Sequence, residues 1–217
     1  MNSSRDIILA NIRKAQESGA TSGYAFELSK AETEATVFVQ PSIDLIENFS
    51  VELEKISGKC YHITSTNSFA DKLREVLTEY KINSLRCVDS QISKMLKNEG
   101  ISVETDLSDL MVCEASITPC EFLISRTGSV MVSNGGETGR KLFVAPDVHI
   151  VLATENQVVA DIPDALTAIQ KKYSTLPSWV SNITGPSRTA DIEKTLILGA
   201  HGPKKLIVFI LKSFVNE

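Results

Sequence analysis

Between Gly58 and Val103 the hydrophobic pattern switches repeatedly between a period of two and a helical period. Cys60-Tyr61-His62-Ile63, Leu85-Arg86-Cys87-Val88 and Ile101-Ser102-Val103 read as short strands. Ser68–Tyr80, capped by Ser68, and Ser90–Asn98 read as the helices between them. Strands alternating with helices of this length predict βαβ units and a mostly parallel sheet. Near the end of the sequence, Lys205–Leu211 carries the unbroken apolar run Leu206-Ile207-Val208-Phe209-Ile210, the mark of a strand buried on both faces. The expected class is therefore α/β, a mostly parallel sheet flanked by helices. No Gly-x-Gly-x-x-Gly follows any of these strands, so a dinucleotide fingerprint is absent.

The stretch ahead of this alternation reads as helical. Ile7, Ile8, Ile12 and Ala15 form one apolar stripe before Gly19. Thr36–Val39 reads as a short strand. Pro41-Ser42 starts a second helix, with Leu45, Ile46, Phe49, Leu53 and Ile56 inward and Gly58 as its stop. The predicted organisation is an N-terminal helical segment over 1–57, packed on an α/β domain over 58–217. With 42% hydrophobic and 23% charged residues in 217, a globular chain is expected. No apolar run is long enough to span a bilayer. The net charge of −5 comes from interspersed signs, which gives no nucleic-acid footprint.

The 4 cysteines, Cys60, Cys87, Cys113 and Cys120, include no Cys-x-x-Cys pair and no iron–sulfur run. With no secretory signal at the start, a reducing cytoplasm is the expected compartment. His62, His149 and His201 lie far apart without ligand spacing, so no metal site and no intrinsic cofactor is expected.

In the middle of the chain, Thr118-Pro119-Cys120-Glu121 has the form of a helix start with a capping box. It predicts a helix through Phe122 and Leu123 to Thr127-Gly128. Ser129–Val132 reads as a buried strand. Ser133–Arg140 is a glycine-rich loop. Gly135, Gly136 and Gly139 let its backbone approach a ligand, successive N–H groups can form an anion nest, and Arg140 can add a charged donor. Leu142–Ala145 and His149–Ala153 read as strands. Glu155-Asn156 is a hairpin turn into Val158-Val159, and Asp161–Tyr173 a helix with Leu166 and Ile169 inward.

The densest chemistry lies in Ile183–Pro203. Gly185 and Pro186 bend the backbone, and Ser187 and Thr189 can each cap a helix start with Asp191 in its first turn. Arg188 stands between the hydroxyls, and Gly199 and Gly202-Pro203 surround His201. A helix N-terminus with hydroxyls and an Arg can hold a carboxylate or phosphate. Because loops after strands gather into one crevice in open α/β sheets, Arg140 and Arg188 are expected to line a common cleft. Its donors would be these guanidiniums, the Ser187 and Thr189 hydroxyls and glycine N–H groups. Glu137, Asp191 and His201 are the titratable candidates for catalysis. Residue chemistry equally allows a capped helix and a turn, with Arg188 in a structural contact and Arg140 in solvent.

Gly-Pro-Ser-Arg-Thr-Ala-Asp-Ile-Glu over 185–193 and Gly-Ala-His-Gly-Pro over 199–203 resemble the closing signature of the lactate utilization protein C family of LUD-domain proteins. The similarity runs from about Ile117 to Leu211 and takes in Asn134, the loop ending in Arg140, and Pro146-Asp147-Val148-His149. His149, read alone, is a core-edge histidine; the resemblance places it in the family pattern. A segment that usually reads Glu-Thr-Gly-Thr is here Arg126-Thr127-Gly128-Ser129. Thr127 and Ser129 fit a binding role, but no carboxylate role passes to Arg126.

The resemblance implies the fold of ribose-5-phosphate isomerase, glucosamine-6-phosphate deaminase and coenzyme A transferases. It also implies a non-redox subunit of an L-lactate-to-pyruvate oxidation system that binds a small anionic ligand, with iron–sulfur clusters on partner proteins. The alternatives are a free-standing enzyme acting on a phosphosugar or acyl-CoA with Glu137 as nucleophile or base, and a non-catalytic nucleotide or carboxylate sensor.

Overall fold

The computed structural model describes residues 4–17, 44–63, 65–106, 113–190, 196–198 and 202–212. Contacts divide the chain into two units, Met1–Val39 and Gln40–Glu217. In the first, α1 (Ser4–Glu17) leaves Ile7, Ile8, Leu9 and Ile12 exposed. The expected strand Thr36–Val39 and the Pro41-Ser42 helix start lie outside the described residues.

The second unit begins with α2 (Leu45–Lys55), β1 (Lys59–Ile63), α3 (Thr66–Glu79), β2 (Leu85–Arg86), α4 (Ser90–Asn98) and β3 (Ala115–Pro119). There follow β4 (Phe122–Ile124), β5 (Ser129–Ser133), β6 (Val148–Thr154), β7 (Val158–Val159) and α5 (Ile162–Lys172). It closes with β8 (Val180–Ile183), β9 (Arg188–Ala190), β10 (Leu196–Leu198) and β11 (Lys205–Leu211). One sheet has five strands in the order β1-β11-β6-β3-β2, all paired in parallel. A second has four, β7-β4-β5-β8, and β9 pairs antiparallel with β10. The α/β class, the mostly parallel sheet and the N-terminal helix agree with the sequence reading.

Side-chain alternation along the central strands sorts the core into layers. Ile150 and Leu152 of β6, with Ile207 and Phe209 of β11, meet Phe69 and Leu73 of α3 and Ile92 and Leu96 of α4. Val151, Ala153, Val208 and Ile210 face the other way, onto Phe49 and Leu53 of α2 and Val130 and Val132 of β5. The far side of the second sheet buries Ile124 and Met131 against Ala165 and Ile169 of α5. Helix α2, assigned by the sequence reading to a segment ahead of the α/β domain, is thus built into the core of the second unit.

Short side chains start the helices by accepting first-turn N–H groups. Asp44 accepts from Ile46 at 2.8 Å, Asp89 from Ile92 at 2.9 Å, and Asp161 forms a capping box with Asp164. The cap of α3 is Ser65, not Ser68.

Several local expectations are overturned. Thr118–Gly128 is not helical. Strand β3 runs to Pro119, β4 pairs antiparallel with β5, and only Ser125–Thr127 forms a single 3-10 turn. The reason is two-sided burial: Leu123 packs towards the parallel sheet, while Phe122 and Ile124 pack towards α5, a period of two that a helix cannot supply. Leu142 and Phe143 lie in a 3-10 turn over Arg140–Phe143, not a strand. Glu155-Asn156 makes no hairpin, because β7 leaves β6 and joins the other sheet parallel to β4. The Ile101–Val103 strand reduces to one bridge between Arg86 and Glu104. Leu166 points outward at 45% exposure, and Ala165 takes the inward place. Ser187 and Thr189 start no helix, since Arg188–Ala190 is a strand.

Candidate ligand site beneath the glycine loop

In parallel sheets the loops after the strands frame the crevice available to ligands. Here β3 ends at Pro119 and β2 leads on to Asp89, and a pocket of about 180 Å³ lies between these ends and the loop after β5. A wider hollow of about 530 Å³ runs along α3, but its Arg74 and Glu79 are surface charges already paired with Asp71 and Lys59.

Glu121 forms the floor of the pocket, its side chain 7% exposed. One carboxylate oxygen accepts from the Tyr173 hydroxyl at 2.7 Å and from Ser133 Oγ at 2.5 Å; the other accepts from Lys172 Nζ at 2.8 Å. Burial alone would raise this carboxyl, but the Lys172 ammonium and the two hydroxyls outweigh it and hold it below the usual range. Burial works against the Lys172 charge too, and Glu121 overcomes it, so Lys172 stays above its ordinary value. Burial and then the adjacent carboxylate push Tyr173 up, which keeps its phenol protonated as a donor.

A depressed carboxyl stabilises the fold above its unfolded value and loses that contribution as pH falls through the folded one. Glu121→Gln is therefore expected to flatten the loss of stability below about pH 4.3, the ordinary Glu value. At neutral pH it should cost about 1–2 kcal/mol, limited because Lys172 is half exposed to water. Urea titrations of both proteins from pH 7 to pH 3 measure this. Parallel curves would show that Glu121 carries no linkage.

The glycine loop is fitted to this cluster. Gly135 N donates to Ser133 Oγ at 2.9 Å, and a Cβ added at Gly135 would lie 2.7 Å from the Tyr173 ring. Thr138, 3% exposed, borders the pocket, and its hydroxyl has no partner among the described residues. Nor have the N–H groups of Gly136, Glu137, Thr138 and Gly139 an acceptor among them. Glu137 turns its carboxylate to the start of α4, accepting from Ser90 N at 2.7 Å and Ser90 Oγ at 3.0 Å. Asn134 accepts from Trp179 N and donates to Ser178 Oγ, and Arg140 donates to the same Ser178 oxygen while its guanidinium lies 5.8 Å from the Trp179 ring centre.

The other sequence candidates gather around the end of α2. Arg188 donates to Ile56 O at 3.1 Å and to Ser57 Oγ at 2.9 Å. Gly185, at φ +83°, passes so close that an added Cβ would stand 2.6 Å from Ile56 O. Ser129 Oγ meets Thr184 Oγ1 at 3.0 Å, the Thr127 hydroxyl is buried, and Ser187 N donates to Pro203 O. Neither guanidinium, of Arg140 or of Arg188, lines the pocket. Thr189 lies in β9, and Asp191 and His201 fall outside the described residues. Arg126 pairs with Asp161 at 2.8 Å and holds that carboxyl below its usual range.

His149 sits fully buried in β6, its Nε2 2.8 Å from Thr118 Oγ1 and its ring edge-on to Phe143. Burial pushes its pKa down to about 3, so the ring is neutral. Burial also raises the thiols, Cys60 to about 11 and Cys87 to about 12, and Cys120 upward beside the pocket; none is a ready nucleophile. Among the described residues no cluster of three His, Cys, Asp or Glu side chains is placed to hold a metal ion, and no helix is long and apolar enough to cross a membrane.

Sequence reasoning missed Glu121, Lys172 and Tyr173. Glu121 had been absorbed into an apparent capping box, and its partners lie 51 and 52 residues further on.

Comparison with known proteins places the chain. An uncharacterized protein of Neisseria meningitidis serogroup B is 24% identical over 227 residues, covering 96% of this chain and 94% of the relative. Lactate utilization protein C of a Geobacillus species is 24% identical over 213 residues, covering 88% of each. The crystal structure of a DUF162 family protein from Deinococcus radiodurans superposes with a TM-score of 0.57 at 18% identity, covering 77% of this chain and 96% of that one, a likeness of fold. The family model of the LUD domain matches residues 46–211, from α2 through β11, and the chain belongs to that family.

Proposed function

We propose that this protein is a non-redox component of an L-lactate utilization system, binding a small anionic ligand in the cytoplasm. The supporting observation is the alignment over 88% of both chains with a protein named lactate utilization protein C. In this reading the iron–sulfur clusters belong to partner proteins. The cysteines of this chain stand apart in sequence, and Cys87, Cys113 and Cys120 are buried within the fold. Conversion of lactate to pyruvate would then draw on those partners for electron transfer, with this chain contributing binding or assembly. The phosphosugar or acyl-CoA reading is less well supported. Its proposed nucleophile, Glu137, is engaged by Ser90, and a pocket of about 180 Å³ is too small to enclose a phosphosugar.

The test is deletion of the gene in the organism that encodes the protein. Growth on L-lactate as sole carbon source is expected to fail while growth on glucose continues, and affinity purification of the tagged protein should bring down iron–sulfur proteins. Growth on L-lactate at the parental rate would overturn the proposal.

A further inference from the structure

We propose that the pocket beneath the glycine loop binds a three-carbon 2-hydroxy or 2-oxo carboxylate through the Thr138 hydroxyl, Lys172 and the N–H groups of Gly136 and Thr138. The choice of a 2-hydroxy or 2-oxo acid rests on the lactate reading above. The place, size and donor character of the site rest on the geometry alone.

Size comes first. Water occupies about 30 Å³ per molecule in the liquid. A pocket of about 180 Å³ therefore has the room of about six water molecules, enough for a three-carbon hydroxy or oxo acid. Donor character comes next. Every carboxylate near the pocket already has its hydrogen bonds: Glu121 from Lys172, Ser133 and Tyr173, Asp89 from Ile92 N, and Glu137 from Ser90. What is left without a partner can donate. The Thr138 hydroxyl is buried and unpaired, the loop N–H groups lack acceptors among the described residues, and a lysine ammonium has donors beyond the one given to Glu121. A buried hydroxyl with no partner is costly, and native proteins retain few. A guest rich in acceptors satisfies it. The guest's carboxylate takes the loop N–H groups and Lys172, and its 2-oxygen takes Thr138. Glu121 and Tyr173 line the pocket with their polar atoms already engaged, Glu121 by Lys172, Ser133 and Tyr173, and act as positioning residues for Lys172.

The test uses the purified full-length chain, with L-lactate, pyruvate and sulfate as probes in thermal-shift and calorimetric titrations. L-lactate or pyruvate at a hundredfold excess over its Kd is expected to raise Tm by roughly 5 °C or more. Thr138→Val should raise the ligand-free Tm, because a methyl replaces an unpaired buried hydroxyl, and should weaken binding of the acid at least tenfold. Lys172→Met should weaken it as much. Arg188→Ala, which alters the distant anchor on Ile56 and Ser57, should leave affinity unchanged. No shift with either acid, or wild-type affinity in Thr138→Val, overturns the assignment. Loss of binding in Arg188→Ala alone moves the site to the end of α2, and sulfate binding as tightly as lactate reduces it to a general anion hole; either result overturns the proposal too. Growth on L-lactate is scored separately. A deletion that blocks growth, alongside a purified protein that binds neither acid, removes the site and leaves the function. Binding with normal growth does the reverse.

Discussion

Gly128→Ala is expected to lower the free energy of unfolding by about 3 kcal/mol or more. Gly128 has φ +59°, the left-handed region where an L-residue costs about 1–2 kcal/mol. The added methyl has no room either: its carbon would lie 2.3 Å from Leu53 N and 2.5 Å from Glu52 C. Those are backbone atoms within α2 and cannot rotate aside. The helix would have to lift, and with it Phe49 and Leu53, both fully buried between the two sheets. Gly139→Ala is the control, because a Cβ there meets nothing within 4 Å; its effect should stay within about 0.5 kcal/mol. Urea denaturation of the three proteins decides the matter. Equal midpoints for the two variants would mean that α2 does not dock on the turn after β4.

Phe209→Ala should cost about 3–5 kcal/mol. Phe209 is fully buried in β11, with the Tyr61 ring 5.2 Å away on the neighbouring strand and the Phe69 ring 5.1 Å away, edge-on, from α3. Removing the ring forfeits its transfer from water and leaves a cavity between a sheet and a helix that are both held by other contacts. Phe209→Leu keeps most of the volume and should cost about 1.5 kcal/mol. Chemical denaturation at neutral pH measures both. A loss under about 2 kcal/mol for the alanine variant would show that α3 collapses into the space.

What could be read from the residues was whatever local pattern and final burial agree on. The apolar run of β11, the helix expected over Asp161–Tyr173 and the buried Ser129–Val132 strand are of this kind, and each forms where expected. Thr118–Glu121 shows the opposite case. Its spacing has the form of a capping box, but Thr118 bonds His149 on the adjacent strand and Glu121 turns to Lys172. Long-range partners prevailed over a local motif, as tertiary contacts do over weak propensities. Ser187–Thr189 repeats the lesson, with Arg188 reaching back to Ile56 instead of opening a helix. The glycine loop reads in the sequence as backbone that approaches a ligand, and the structure shows Gly135 passing close to the Tyr173 ring while Gly136 and Gly139 face open space. Its Tyr173 neighbour could not be seen, because nothing within the loop encodes which distant ring Gly135 must pass.

The order β1-β11-β6 has a consequence for biosynthesis. Among the described residues β1 hydrogen-bonds to no strand but β11, which follows all the other described strands in the sequence. While the ribosome is still working through the intervening segments, β1 waits with one edge of its backbone unsatisfied and its apolar side chains open to other nascent chains. Completion of the five-stranded sheet therefore waits until Lys205–Leu211 emerges to join β1 to β6, while β2, β3 and β6 can pair before it.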